Sequence, residues 1–203
     1  MSGDEREQAL LSAADELLTK RGLHEISVDD LARGAGLSRS AFYFYFASKE
    51  QLLLTLMERL IQQQVEAEDQ MRAALMDEPV RAWREVLTAS LLMWEAHRGV
   101  FQAAAQARRT NAEIGAVWEQ LIENFVERTV AAIESERARG AAPSTTPARE
   151  LAVCLVRMNE RVFESLTQDD DPGPDKQAQR LRTLDTVIAV WLAAVYGTVP
   201  FPT

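Results

Sequence analysis

Residues 37–52 read "LSRSAFYFYFASKEQL". Phe42, Tyr43, Phe44, Tyr45 and Phe46 run consecutively and then give way to Ser48, Lys49 and Glu50. With 3.6 residues per helical turn, five rings in a row cannot share one face, so some must point away from any core. Just upstream, "SVDDLARGAG" (27–36) starts with a Ser that has Asp three positions on, a capping-box variant, and closes on Gly34 and Gly36. Ser38 is placed to cap a second short helix. Helix, tight glycine-containing turn and short helix make a helix-turn-helix, whose second helix enters the major groove. The two helices are expected over 27–34 and 38–45.

Helical spacing sorts their side chains. Leu31, Ala35, Leu37, Phe42 and Phe46 fall where they close a small core, with Phe42 and Phe46 one turn apart. Arg39, Ser40 and Tyr43 project together on the other face. Arginine pairs bidentately with guanine, serine bonds a base or a phosphate, and tyrosine offers a ring to a thymine methyl and a hydroxyl to a phosphate. Tyr45 and Lys49 lie at the exit, within reach of the backbone of a duplex. The residue chemistry leaves a second reading open, in which Tyr43 and Tyr45 cover the helix junction with wet hydroxyls.

Around this head the chain has 203 residues, 47% hydrophobic and 26% charged, with a net charge of -9. An acidic balance argues mildly against nucleic acid, because phosphate binding draws on Lys and Arg. Between Arg21 and Glu50, however, Arg21, Arg33, Arg39 and Lys49 balance Glu25, Asp29, Asp30 and Glu50, so the head is neutral. No apolar run approaches the roughly 20 residues of a membrane span. "MSGDEREQALL" lacks the pattern of a secretory signal, and a cytoplasmic home is expected. Cys154, the one cysteine, is expected to be a reduced core thiol.

Nothing alternates in the manner of a strand. Apolar residues recur at three and four throughout, which predicts an all-α chain of about nine helices: a three-helix head over residues 1–50 on a helical body over 51–203. The first helix is expected over Glu5–Lys20, stopped by Gly22. "SKEQ" (48–51) is a capping box opening a long helix toward Met71. Pro79 suits a first helical turn and Gly99 a stop. Residues 100–109 form a short helix, and Asn111 caps one that ends near Gly140. "GAAPSTTP" (140–147) is a loop with Pro147 starting the next helix, and "DDDPGPD" (169–175) is a second loop. The last helix carries Leu181, Leu184, Ile188, Trp191, Leu192 and Val195 up to Gly197.

The string "SVDDLARGAGLSRSAFYFYFASKEQLLL" resembles the DNA-binding domain of the TetR family, with Ser27, Leu31, Ala32, Ala35, Gly36, Leu37, Ser38, Phe42, Tyr43, Tyr45, Phe46, Lys49 and Leu52 matching in order. The resemblance implies that the short helix, from Ser38 on, reads double-stranded DNA at a pseudo-palindromic operator. It also implies that Ser27, Tyr43, Tyr45 and Lys49 hold phosphates, and that the protein is a homodimer acting as a repressor. A narrower likeness within that family, carried by "ERARGAAPSTTPARELA", "MNER" and the terminal "VYG", runs over most of the chain but lacks a basic N-terminal arm.

A 50-residue head does not need so large a body. In "ELAVCLVRMNERVFESL" Leu151, Leu155, Met158 and Val162 form one apolar stripe, and Val156, Asn159, Phe163 and Leu166 another, so this helix is expected to be covered on two sides. The last two long helices are the expected dimer contact, holding two heads at half-site spacing. Trp83, Met93, Trp94, Trp118, Phe125, Phe163 and Trp191 supply large apolar groups for a hydrophobic small-molecule pocket, or for an ordinary core. Asn159 on an apolar face needs a partner, a carbonyl or a ligand. By the narrower likeness Trp83, Thr129, Asn159 and Trp191 sit at channel positions, with Ser90 replacing an aromatic and Val156 a second amide.

Other chemistries find little support. Asp169 and Asp170 suggest a magnesium motif, but Gly173 stands where the next carboxylate is needed, which makes a solvated connection. His24 and His97 have no second ligand at metal spacing, so neither metal nor cofactor is expected. No nucleophile–base arrangement or phosphate-cradling loop is signalled, so no enzyme is expected. The remaining alternative is a helical interaction protein whose head no longer binds DNA.

Overall fold

A computed structural model describes residues 2–74, 77–143, 145–168 and 173–197. Among them are nine α-helices, one 3-10 turn and no strand. The helices are α1 (Gly3–Leu18), α2 (Val28–Gly34), α3 (Arg39–Tyr45), α4 (Lys49–Ala74), α5 (Pro79–Ala96), α6 (Arg98–Ala107), α7 (Ala112–Ala138), α8 (Ala148–Leu166) and α9 (Gly173–Tyr196). The all-α expectation holds. The chain groups into two compact units, one of residues up to Gln64 with Glu95–Trp118, the other of Val65–Trp94 with residues from Glu119 onward.

In the first unit α1 packs on α2 and α6, and α2 on α3. Each start has a local cause. Ser2 caps α1 in a capping box with Glu5, two residues earlier than the apolar stripe suggested. Ser27 caps α2, its hydroxyl accepting from the Asp30 amide at 3.1 Å while the Asp30 carboxylate returns to the Ser27 amide at 3.0 Å. That carboxylate also accepts from the Ser27 hydroxyl at 2.8 Å, and the bonds from the Ser27 amide and then its hydroxyl hold the Asp30 carboxyl below the usual carboxylate range. Ser38 caps α3 by accepting from Ala41 at 3.2 Å, and Ser48 accepts from Gln51 at 3.1 Å where α4 starts.

The turn between α2 and α3 is a Schellman motif. The Leu37 amide donates to the Ala32 carbonyl at 2.8 Å, the Gly36 amide to Arg33 at 3.1 Å, and Gly36 has a φ of +67° that a side chain would strain. The core beneath contains Leu10, Leu11, Leu31, Ala35, Phe42, Phe46 and Leu53, all buried, while Leu37 is only half-buried.

Gly99 corrects the sequence reading. It does not stop α5, which ends at Ala96, but lies inside α6 with no room for a side chain: a Cβ there would sit 2.3 Å from the carbonyl carbon and oxygen of Leu18. Small size, rather than a free backbone, is what the position needs. His97 ahead of it shares a hydrogen bond of 2.8 Å with Asp15 of α1.

In the second unit the core is built from Trp83, Leu87 and Trp94 of α5, Ile122, Val126 and Ile133 of α7, Leu155 and Phe163 of α8, and Ile188, Trp191 and Leu192 of α9. Asn111 of the first unit caps α7, accepting from Glu113 at 3.0 Å and Ile114 at 3.1 Å, as its spacing predicts. Pro147 precedes α8. Three expectations change. Residues 173–175 of the expected loop "DDDPGPD" are helical instead, because α9 starts at Gly173, with Pro174 in a first turn that has no use for its missing N–H. The solvated reading of Asp169 and Asp170 lies outside the described residues. Cys154 is exposed rather than core, and Leu181, assigned to the apolar face of α9, is 56% exposed.

Replacing Gly99 with alanine adds about 1 kcal/mol of helix propensity but forces α6 off α1, an overpacking cost of about 1 to 3 kcal/mol. A urea titration of Gly99→Ala is expected to show a lower midpoint than the native chain.

Candidate functional site

α3 is two turns long and commits one side to the core. Phe42 is fully buried and stacks at 5.9 Å on Phe46. Helical geometry then turns Arg39, Ser40, Tyr43 and Phe44 outward, and all four are exposed. Phe44 is 83% exposed, the most exposed of the large hydrophobic residues described, and Tyr43 is 48% exposed. Sequence spacing alone assigns Phe44 no role. Its signal was present in the run of rings, because the residue two after a buried Phe42 cannot share its face. Tyr45 is half-buried with its ring edge-on to Phe44 at 5.1 Å, and its hydroxyl lies beside Gly3.

Several polar residues of the head are already engaged. Arg39 Nη1 donates to Asp29 Oδ2 at 2.6 Å, Nη2 donates to the Tyr43 hydroxyl at 3.3 Å, and the guanidinium lies 5.6 Å from the centre of the Tyr43 ring. The hydrogen bond it donates to Asp29, then the charge of that carboxylate, raises the Arg39 pKa above its ordinary value. Lys49 Nζ donates to the carbonyls of Leu23 at 2.6 Å and Ile26 at 2.8 Å, tying the start of α4 to the segment before α2. Two of its three donors are thereby used. The hydroxyls of Ser27 and Ser38 serve their helix caps, and Ser40 Oγ is 3.0 Å from Ser38 Oγ. This surface can present a guanidinium, hydroxyls and an apolar ring from one short helix, which is the chemistry of base-edge and backbone contact.

In the second unit the structure brings some of the expected pocket residues together. The Trp83 and Trp191 rings lie 5.2 Å apart, and the Trp191 indole N–H donates to Asn159 Oδ1 at 2.9 Å. Asn159 therefore finds its partner in a side chain of α9. Trp94 and Phe163 form an edge-on pair at 6.4 Å. Ser90 hydrogen-bonds the Val86 carbonyl at 2.9 Å and reaches the Glu68 carboxylate at 3.5 Å. Thr129 is buried, while Met93 and Phe125 are half-buried. Trp118 belongs to the first unit, where it packs against Phe101 at 6.5 Å with the Arg108 guanidinium 4.3 Å from its ring centre.

Two residues missed by sequence reasoning complete this group. The Trp83 indole N–H donates to the Tyr196 hydroxyl at 3.1 Å, and that hydroxyl donates to Glu136 Oε2 at 2.9 Å. Glu136 is itself buried and accepts from Arg139 at 2.7 Å. Burial, then the bond to Glu136, pushes the Tyr196 phenol well above its ordinary pKa. A cleft of about 330 Å³ runs alongside, lined by Ala82, Trp83, Ala131, Ala132, Glu136 and Arg139 among others. No periodicity links Tyr196 to residues 60 and 113 positions away, so only the fold reveals them.

Comparison with known proteins agrees with both halves. Residues 10–56 match the family described as bacterial regulatory proteins, tetR family, and residues 83–197 match the transcriptional regulator EthR, C-terminal domain. The chain is similar to the HTH-type transcriptional regulator EthR of Mycobacterium tuberculosis H37Rv, with 41% identity over 97% of this chain and 89% of that protein. It is 39% identical to EthR of Mycolicibacterium smegmatis, over 100% of this chain and 91% of that one. A TetR-family regulator from Syntrophomonas wolfei shares the fold, with a TM-score of 0.77 at 15% identity over 99% of this chain and all of that one.

Tyr196→Phe removes the hydroxyl that serves Trp83 and Glu136 together, and leaving a buried donor unpaired costs about 1 to 3 kcal/mol. Denaturant unfolding at neutral pH is expected to show that loss. The raised phenol pKa adds stability that is complete below pH ~10, where the unfolded phenol stays protonated, and is lost as pH rises beyond it. The stability gap between native chain and variant should therefore narrow above pH ~10.

Proposed function

We propose a function from one premise: the chain belongs to the TetR family of bacterial regulatory proteins and carries an EthR-type C-terminal domain. On that footing it is a repressor that binds a pseudo-palindromic duplex as a homodimer in the cytoplasm and leaves it when a hydrophobic small molecule enters the second unit. The observation that carries the DNA reading is the row Arg39, Ser40, Tyr43 and Phe44, exposed on a helix whose other side is locked into the core. Arg39 reads a guanine, and Phe44 meets a thymine methyl or a sugar. Ser40, Tyr43 and Tyr45 reach base edges or phosphates, with Lys49 and the capped helix starts at Ser27 and Ser38 meeting the backbone.

The ligand reading rests on the aromatic lining of α5, α8 and α9, where the Trp83–Trp191 pair carries a single amide, Asn159, for orientation. Met93, Trp94, Phe125, Thr129 and Phe163 extend that lining and Ser90 brings a hydroxyl, while Trp118, a residue of the first unit, is left out of it. A ligand lowers operator occupancy by no more than its differential affinity for the two arrangements of the dimer. Dimerisation is assigned to α8 and α9. Supporting it, Leu151, Met158 and Val162 stay half-buried in the single chain, and Val153 and Val190 are exposed.

Fluorescence polarisation of the purified chain against the duplex flanking its own gene is expected to show binding that weakens steeply with salt. Arg39→Ala should cost about 1 to 3 kcal/mol and relax preference at one base pair. Phe44→Ala should weaken binding without changing the salt slope. Light scattering should return twice the chain mass; a monomer at micromolar concentration removes the dimer. For the ligand, saturation with an apolar fluorophore such as anilinonaphthalene sulfonate should release the duplex. Unchanged affinity rejects the coupling for that ligand.

A further inference from the structure

The Asp29–Arg39 pair is unusual in its setting. Both side chains are more than half exposed, at 52% and 55%, and they come from different helices, yet they approach to 2.6 Å. An exposed pair of this kind adds ~0 to 1 kcal/mol at most, so stability does not account for it. Nor does affinity, because a carboxylate on a DNA-facing surface repels phosphates. What the pair does is remove freedom from Arg39. One nitrogen is held by Asp29, the other touches the Tyr43 hydroxyl at 3.3 Å, and the Tyr43 ring lies beneath the guanidinium at 5.6 Å. Two of five N–H groups are so occupied, which leaves donors on the outer side of the fork.

We propose that Asp29 is a positioning residue for base reading. It holds the Arg39 guanidinium against the Tyr43 ring, so that the remaining N–H groups face one guanine instead of collapsing onto the nearest phosphate. Asp29 lowers overall DNA affinity and raises discrimination at the base pair Arg39 reads. The proposal rests on the DNA-binding reading of α3. Ser40 and Phe44, the other exposed members of α3, have no part in it.

The test is a double-mutant cycle on the full-length chain. A selection from random duplexes with the native protein defines the preferred site. Native chain, Asp29→Ala, Asp29→Asn, Arg39→Ala and Asp29→Ala/Arg39→Ala are then titrated over a salt series. The duplexes are that site, copies altered at single base pairs, and random DNA.

The expected result is that Asp29→Ala loses discrimination, by about fivefold or more, at the base pair that Arg39→Ala also relaxes. It should bind random duplex more tightly, with a salt slope steeper by about 1 from the added phosphate contact. Asp29→Asn should fall between, and in the Arg39→Ala background the Asp29 change should remove no further discrimination. Tighter binding to every duplex with discrimination intact, equal in both backgrounds, would make Asp29 a mere repeller of phosphates and overturn the proposal. Unaltered discrimination and affinity in both Asp29 variants would overturn it too, while leaving DNA binding standing. No enriched duplex for the native chain would remove the DNA-binding reading and the proposal with it. Circular dichroism and thermal midpoints of the variants, expected to be unchanged, show that the readouts report binding and not folding.

Discussion

The burial of Phe42 is the constraint from which the head follows. Its ring is fully buried, and loss of a buried phenylalanine would cost about 3 to 5 kcal/mol. On a helix of seven residues, one such commitment sets the rotation of every other side chain. Arg39 and Tyr43 then stack one turn apart on the outside, Ser40 and Phe44 beside them. The Schellman turn at Gly36 and the caps at Ser27 and Ser38 deliver α3 to that position, and Lys49 closes the unit by bonding the carbonyls of Leu23 and Ile26. A surface built for contact is thus a by-product of a core built for stability.

The second unit reaches a different balance. Its aromatic residues make a core, but not a purely apolar one, since both Trp83 and Trp191 turn their indole N–H groups toward partners from other helices. Buried indole donors need such partners. The consequence is a chain of contacts from Asn159 through Trp191, Trp83 and Tyr196 to Glu136 and Arg139, spanning four helices.

Charge also reads differently once the fold is known. A net charge of -9 looks unfavourable for a DNA-binding chain, yet the acidic side chains of the head are largely spent locally: Asp30 on the Ser27 cap, Glu5 on Ser2, and Asp29 on Arg39. What remains outward on α3 is a guanidinium, hydroxyls and a ring, so the local surface rather than the sum of charges governs contact with a phosphate backbone.

Local patterns carried a large part of this structure into the sequence. Serine caps, the positive-φ glycine at Gly36, the Asn111 cap, Pro147 and three-to-four apolar spacing are properties of a few adjacent residues, and they yielded the all-α architecture and the helix-turn-helix, while the family came from the resemblance of the string over residues 27–54. The sidedness of α3 was equally legible, because it needs only the angle between successive residues. What the tertiary structure alone decided joins residues far apart in the chain. Gly99 proved to be a seat for Leu18 instead of a stop, Asp29 captured Arg39, and Lys49 turned inward to two carbonyls. Tyr196 and Glu136 joined Trp83, and Cys154 faced outward. Periodicity states which side of a helix is apolar; which partner meets that side depends on how helices cross, and that is settled by close packing between segments that the chain order does not bring together.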